Sequence, residues 1–242
     1  MSHPGYVEPV RVGIMQPYFL PHLSYFQLIA NTDVFCLHDK VKYTKQSWIN
    51  RNRFVINGKV QYITIPLRSS SDYSLINEKE ISEIFDIKSV IKLIELNYNR
   101  SPNFHEVFPL LIEILSFKNT NLFSFLENSI VQLSGHLELN TKIIRCSDTG
   151  YDQSLTKSAM VKEICKKLGA GVYTNSEGGI SLYNAQDFLH NGILLQFSKK
   201  MEFLYTNSLG QADSSLSVID TLMWADKKKL IQSLYKMELV PE

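Results

Sequence analysis

The segment from residue 11 to residue 54 constrains the fold more than any other part of the chain. It runs RVGIMQPYFLPHLSYFQLIANTDVFCLHDKVKYTKQSWINRNRF, so a short apolar run precedes a proline-rich turn, a helical pattern, a second apolar run and a polar loop. That order is typical of an α/β protein with a parallel sheet. Because such a sheet presents the loops after its strands along one edge, the segment predicts a small-molecule site there.

The same alternation extends through most of the chain. The apolar runs at 11–16 and 34–37 predict parallel strands joined by a helix that Pro21 opens. Asn57-Gly58 tolerates positive φ at both turn positions and predicts a hairpin. Further strands are expected at 142–146, 171–174 and 192–197, with helices at 158–168, 181–189, 216–224 and 227–236.

Between residues 84 and 140 the apolar spacing is helical and predicts three helices. We interpret them as a helical insertion or subdomain within a single α/β domain that covers residues 1–242. The predicted fold is therefore α/β, a Rossmann-like three-layer parallel sheet with a helical insertion, and its narrower form is nucleotidyltransferase-like.

Composition narrows the function classes. A formal net charge of +1 gives no reason to expect a large nucleic-acid footprint. Three widely separated cysteines form no CxxC pair, and the six histidines form no HxH or HExxH pair, so neither a disulfide framework nor a metal site is expected. No leader pattern opens the chain and no apolar run is long enough to span a membrane, which predicts a cytoplasmic protein.

Two stretches carry candidate chemistry. In the turn after the first strand, Gln16 offers a donor and an acceptor, Tyr18 offers a stacking face, and the helix start at His22 favours an anion. The alternative is that the aromatics only pack the helix on the sheet. The loop DKVKYTKQSWINRNR contains five basic residues, amides and Trp48, which suit a phosphate or carboxylate. A solvated charged face is the alternative for its lysines.

Weaker signals lie further along the chain. Ser176-Glu177-Gly178-Gly179 follows a strand, and paired glycines either admit a ligand close to the backbone or only turn the chain. Glu177 is a candidate general base if burial raises its pKa. Asp220 is expected either to pair with Arg51 or Arg53 or to stabilise a helix N-terminus.

The turn after the first strand resembles the segment that carries the HxGH motif in nucleotidylyltransferases, which lies at the same structural position. In that family two histidines stabilise charge on the phosphate that is attacked, but here Pro21, Ser24 and Tyr25 stand about where histidine, glycine and histidine are wanted. The comparison implies that this chemistry is altered or lost.

A more specific resemblance covers nearly the whole chain. QPYFLPHLSYFQLI, DKVKYTKQSWINRNRF, YITIPL and LSVIDTL, in that order, are similar to the WbqC-like family. The resemblance implies a role in bacterial surface-polysaccharide (O-antigen) biosynthesis or an amino-sugar pathway. It marks these positions: Gln16, Pro17, Pro21, Tyr25, Asp39, Tyr43, Lys45, Trp48, Asn50, Arg51, Asn52, Ser217 and Asp220. Ser24 departs from the glycine expected there.

Two functions are open at this point. The first is a cytoplasmic transferase that modifies a sugar nucleotide or amino sugar by acyl, aminoacyl or nucleotidyl transfer, with a nucleotide or an activated acyl or aminoacyl donor. The second is a non-catalytic nucleotide- or sugar-binding scaffold. The predicted catalytic residues are His22, Asp39, Lys45 and Glu177. The predicted substrate-binding residues are Gln16, Tyr18, Tyr25, Tyr43, Trp48, Asn50, Arg51, Asn52, Arg53, Ser176, Gly178, Gly179 and Asp220.

Overall fold

The computed structural model describes residues 8–210 and 213–240. The strands within these ranges are β1 (Val10–Met15), β2 (Val34–Leu37), β3 (Arg51–Ile56), β4 (Lys59–Thr64), β5 (Lys142–Arg145), β6 (Ala170–Ser176) and β7 (Leu194–Ser198). The α-helices are α1 (Leu23–Ala30), α2 (Ile87–Tyr98), α3 (Phe104–Leu115), α4 (Leu122–His136), α5 (Lys157–Lys167), α6 (Ala185–Leu189), α7 (Val218–Trp224) and α8 (Lys227–Leu234).

The main sheet has five parallel strands in the order β5-β2-β1-β6-β7. Met15 at the end of β1 lies opposite Leu37 at the end of β2, so neighbouring strands end at the same edge. The chain adds β2 and β5 on one side of β1, then returns to add β6 and β7 on the other. The reversal between β1 and β6 is a switch point, where open α/β sheets bind their ligands.

Each face of the sheet buries its own core, because successive strand residues point to opposite sides. Val12, Ile14 and Cys36 belong to one core, together with residues of α5 and α6. Phe35 and Leu37 belong to a larger core that contains α1, the β3–β4 hairpin, the three helices α2 to α4, and α7 and α8. The predicted α/β class with a Rossmann-like parallel sheet is confirmed.

Local turn chemistry also follows the prediction at the hairpin. β3 and β4 are antiparallel, and Asn57 and Gly58 between them adopt φ of 51° and 68°. Both values lie in the left-handed region that asparagine and glycine tolerate best. The three predicted helices between residues 84 and 140 are present as α2, α3 and α4.

One predicted helix is wrong in its first half. The chain at 181–184 is not α-helical: a 3₁₀ helix covers Glu177–Leu182, and Tyr183 is extended. Asn184 then starts α6, its side-chain oxygen accepting a hydrogen bond from the Asp187 N–H at 3.2 Å. The cap residue interrupts the apolar periodicity that predicted one continuous helix.

Candidate functional site

The carboxyl edge of the sheet collects the segments that follow four of its strands. Gln16 follows β1, His38 and Asp39 follow β2, Glu177 follows β6, and Lys199 and Lys200 follow β7. The strand pairs Met15–Leu37 and Ser176–Ser198 align these ends. The switch point between β1 and β6 therefore lies among polar side chains.

The turn of residues 16–22, called here the β1–α1 turn, is fixed by hydrogen bonds from distant segments. The Phe19 N–H donates to the Trp48 carbonyl at 3.0 Å. The fully buried Asn52 amide donates to the carbonyls of Phe19 and Leu20 at 3.0 and 2.7 Å, and the Ser217 hydroxyl also donates to Leu20 at 2.8 Å. Leu20 is held at φ 43°. This strained backbone persists because its surroundings determine it so fully.

A group of four side chains, two of them cations, lies beside this turn. We call it the His22 cluster, and its members are His22, Trp48, Arg53 and Lys200. The His22 ring packs edge-on against the Trp48 ring at 6.4 Å between centroids. The Arg53 guanidinium lies 5.3 Å from the Trp48 ring centre, within cation–π range. The buried Nε of Arg53 has no hydrogen-bond partner among the described residues.

The electrostatics of the cluster favour an anion. Burial, and then the charges of Lys200 and Arg53, lower the pKa of His22 to about 4. Its Nδ1 is buried without a hydrogen-bond partner in the described chain. Asp213 is the nearby carboxylate: burial opposes its ionisation, but hydrogen bonds from Ser215 and the charges of Arg53 and Lys200 hold its pKa below its ordinary value. A neutral imidazole thus lies beside two cations.

Gln16 and Tyr18 are partly exposed residues of the turn. The Gln16 side chain makes no hydrogen bond to the described residues, and it is half-buried. Tyr18 is also partly exposed, and its ring is tilted against Tyr25 at 5.5 Å. The Tyr25 hydroxyl donates to the Gln16 carbonyl at 3.0 Å. Tyr25 therefore supports the turn from inside, whereas Gln16 and Tyr18 are accessible to a ligand.

Asp39 lies at the end of β2, in the interior of the protein. It is 3% exposed, and its carboxylate accepts a hydrogen bond from the Ser147 N–H at 3.1 Å. His38 beside it is also buried, and this burial lowers its pKa to about 4 against the opposing charge of Asp39. One oxygen of this carboxylate thus joins the ends of β2 and β5.

The loop after β6 is exposed at the same edge. Ser176 is half-buried, and Glu177 and Gly178 are exposed. Gly179 is buried over Asn175, where an added Cβ would lie 2.8 Å from the amide nitrogen of that residue. The second glycine is therefore required by packing inside the protein.

Tyr43, Lys45 and Asn50 form a separate group away from the His22 cluster. The Tyr43 hydroxyl donates to the Asn50 side-chain oxygen at 2.8 Å, and Lys45 pairs with Asp72 at 2.6 Å. These residues line a cavity of about 370 Å³. The basic loop therefore divides between two places on the protein.

Arg51 and Asp220 do not form the ion pair that the sequence suggested. Arg51 lies 4.4 Å from the ring centre of Tyr62 and donates to the Gln46 carbonyl at 2.6 Å. Asp220 is fully buried and accepts hydrogen bonds from Tyr98 at 2.9 Å, Tyr205 at 2.7 Å and Asn207 at 3.0 Å. Burial raises the pKa of Asp220, although these three hydrogen bonds act in the opposite direction.

Comparison with known proteins places the chain in a family. The model of the WbqC-like protein family matches residues 16–232. The chain belongs to the WbqC-like protein family. It is 27% identical over 180 residues to the uncharacterized protein Rv1507c of Mycobacterium tuberculosis (strain ATCC 25618 / H37Rv), an alignment that covers 74% of this chain and 77% of the relative. No solved structure matches the chain.

Two site residues of this WbqC-like protein were missed in the sequence. Lys200 follows β7, so the carboxyl-edge rule that selected Gln16 and Asp39 also selects Lys200 once β7 is assigned. Asp213 lies in an irregular segment before α7, and no sequence signal identifies it. Over the described ranges, no group of three or more histidine, cysteine or acidic residues is placed to hold a metal ion, and no helix is long and apolar enough to cross a membrane.

Proposed function

We propose that this WbqC-like protein is a transferase that modifies a sugar nucleotide or an amino sugar, with the phosphate of the substrate bound at the His22 cluster. One observation carries the proposal: a histidine whose pKa is lowered to about 4 lies with Arg53 and Lys200 beside a preorganised turn at the switch point of the sheet. Small-molecule sites in open α/β sheets form at this position.

The side chains suit separate parts of such a substrate. Arg53 offers a planar guanidinium with an unpartnered buried Nε, which matches a phosphate oxygen. Lys200 adds a second positive charge near His22. Trp48 and Tyr18 offer aromatic faces for a base or a sugar ring. Gln16 offers amide donors and acceptors for the hydroxyl or amide groups of a sugar.

His22 is the general base of the proposed reaction. Its imidazole is neutral at pH 7, and a bound phosphate raises its pKa because a negative charge stabilises the imidazolium. The acceptor oxygen or nitrogen forms the new bond to the acyl carbon or phosphorus of the donor. The bond from this carbon or phosphorus to the leaving group of the donor breaks, and His22 receives the proton of the acceptor. Of the other candidate bases, Asp39 is buried and already accepts from the Ser147 N–H, whereas Glu177 is exposed.

The biological context is part of the proposal and rests on the family. The WbqC-like family suggests that the product enters a bacterial surface polysaccharide. The transferred group is acyl, aminoacyl or nucleotidyl, so the second substrate is an activated donor of one of these classes.

A second candidate function is a binding scaffold without catalysis. It is favoured by the presence of one histidine in the β1–α1 turn where HxGH enzymes carry two. In that case the His22 cluster holds a sugar nucleotide for another enzyme, and His22 contributes hydrogen bonding alone.

A variant at His22 separates the two functions. A thermal-shift screen of nucleotides, sugar nucleotides and acyl donors identifies ligands, since a ligand specific to the folded state raises stability. Pairs of hits are then incubated with wild-type protein and His22→Gln, and products are followed by mass spectrometry. The transferase predicts a mass change with wild type and, in the variant, binding without turnover. Binding without any product from wild type supports the scaffold instead.

A further inference from the structure

One buried cation lies outside the His22 cluster and has no carboxylate partner within the described ranges. Lys79 is 5% exposed. Its ammonium donates to the Ser70 hydroxyl at 2.5 Å and to the Ser71 carbonyl at 3.1 Å, and it lies 5.1 Å from the ring centre of Tyr43. All three partners are neutral. A desolvated ammonium among neutral groups attracts an anion more strongly than a hydrated one does.

Lys79 lines the cavity of about 370 Å³ together with Tyr43 and Asn50. That volume lies within the range of small-molecule sites, which is roughly 300–1,000 Å³. Its lining carries three cations, Lys45, Arg68 and Lys79, against one carboxylate, Asp72. Lys45 is paired with Asp72 and Arg68 with Glu83, which lies outside the lining, so the unbalanced positive charge lies at Lys79.

Hydrogen bonds of the backbone and of the Asn50 side chain fix the walls of this cavity. The Tyr43 N–H donates to the Ser74 carbonyl at 3.0 Å, and the Arg68 N–H donates to the Glu80 carbonyl at 2.9 Å. The Asn50 side chain accepts from the Tyr43 hydroxyl and donates to the Ile65 carbonyl, both at 2.8 Å. Walls that are ordered before binding lose less conformational entropy when a ligand binds.

We propose that this cavity is a second ligand site, which binds a phosphate monoester carried by a small molecule. Lys79 supplies the buried charge, Arg68 supplies planar donors, and the hydroxyls of Ser69 and Ser70 at the rim donate to the remaining oxygens. A phosphate has three terminal oxygens, which can accept from Lys79, Arg68 and the serine hydroxyls together, whereas a carboxylate has only two oxygens to share among these donors. The inference goes beyond the proposed function, because the cavity contains no residue of the His22 cluster.

Calorimetric titration with inorganic phosphate at constant ionic strength tests the site. Loss of one charge-assisted hydrogen bond weakens binding by at least about tenfold. We expect that loss in Lys79→Met and in Arg68→Gln. The Arg68 side chain is exposed, so its replacement leaves the core intact. The control Lys88→Met removes an exposed lysine on α2 and should leave the affinity unchanged. Arg53→Gln alters the His22 cluster and should not weaken the phosphate binding that depends on Lys79. This variant therefore distinguishes the two sites.

Each of the following results would overturn the proposal. The first is an unchanged phosphate isotherm in both Lys79→Met and Arg68→Gln. The second is complete loss of phosphate binding in Arg53→Gln alone, or no phosphate binding by wild type. The third is acetate binding as tight as phosphate binding, which would exclude phosphate as the preferred ligand class. If Lys79→Met does not fold, Arg68→Gln decides the outcome.

Discussion

Asn52 holds the β1–α1 turn, so Asn52→Ala should destabilise the protein much more than loss of an ordinary surface amide. The residue is fully buried, and its amide nitrogen donates to the carbonyls of Phe19 and Leu20. Its side-chain oxygen accepts from the Arg53 N–H at 2.8 Å. The substitution removes all three hydrogen bonds at once.

The expected loss follows from what each group retains. The Leu20 carbonyl keeps the Ser217 hydroxyl as a donor. The Phe19 carbonyl keeps no donor from the described residues, and a buried polar group left unsatisfied costs about 1–3 kcal/mol. With the weaker contributions of the other two bonds, we expect the free energy of unfolding to fall by about 3 kcal/mol.

Urea unfolding of wild type and variant measures this loss. Asn191→Ala is the matched control, because that amide donates to the Asp187 carbonyl at the surface at 2.8 Å. It should cost about 0.5 kcal/mol or less, as surface substitutions usually do. Asn52→Asp should also be strongly destabilised at pH 7, since its carboxylate faces two carbonyl oxygens. An Asn52→Ala loss no larger than that of the control would refute the argument that Asn52 holds the turn.

Three further predictions concern pH, packing and buried charge. Because folding lowers the pKa of His22 and His38 to about 4, the unfolded state binds more protons than the folded state between pH 6.5 and 4. The free energy of unfolding should therefore fall as pH is lowered through that window, and it should fall less steeply in the double variant His22→Gln/His38→Gln. Gly179→Ala places a Cβ 2.8 Å from a buried amide nitrogen and should cost about 1–3 kcal/mol in thermal unfolding, whereas Gly178→Ala, with 3.9 Å of space, should be tolerated. Asp220→Ala removes the acceptor of two tyrosine hydroxyls and one amide and should cost about 3 kcal/mol or more in urea unfolding. Asp220→Asn should be milder, and equal losses in the two variants would contradict the role of Asp220 as their shared acceptor.

The sheet and the helical region were predictable because local patterns and packing agree there. The two apolar runs separated by a helix form parallel strands, and Asn57-Gly58 forms the turn of a hairpin. In both places the local conformational preference agrees with the tertiary structure. The exception is 181–184, where Asn184 caps a new helix inside an apolar periodicity. Capping residues occur in loops as well, so this restart could not be read from the pattern.

The place of the site was easier to predict than the role of each residue. Gln16 and His22 were selected by position after a strand, and both lie at the carboxyl edge. Asn52 and Tyr25 were selected as ligand-binding residues, yet their polar atoms satisfy the backbone of the β1–α1 turn. A polar side chain that satisfies a buried carbonyl and one that binds a ligand are the same residue types, so the sequence does not separate them.

Long-range partners set the limit of prediction from the sequence. Lys79 is far from the basic motif in the chain, and it lies 5.1 Å from the Tyr43 ring centre because the segment after β4 folds back on the loop after β2. Lys200 is far from His22 in the chain and approaches it from the segment after β7, the edge strand of the sheet. Their roles depend on topology, which a local pattern does not specify.

The central claim is that the His22 cluster binds the phosphate of a sugar nucleotide. Calorimetric titration of wild type, Arg53→Gln and the exposed control Arg100→Gln with a panel of nucleoside diphosphate sugars tests it most directly. We predict a saturable isotherm with at least one of them, weakened by about tenfold to a hundredfold in Arg53→Gln through loss of a charge-assisted contact, and unchanged in the control. Equal affinity in wild type and Arg53→Gln, or no binding across the panel, would contradict it.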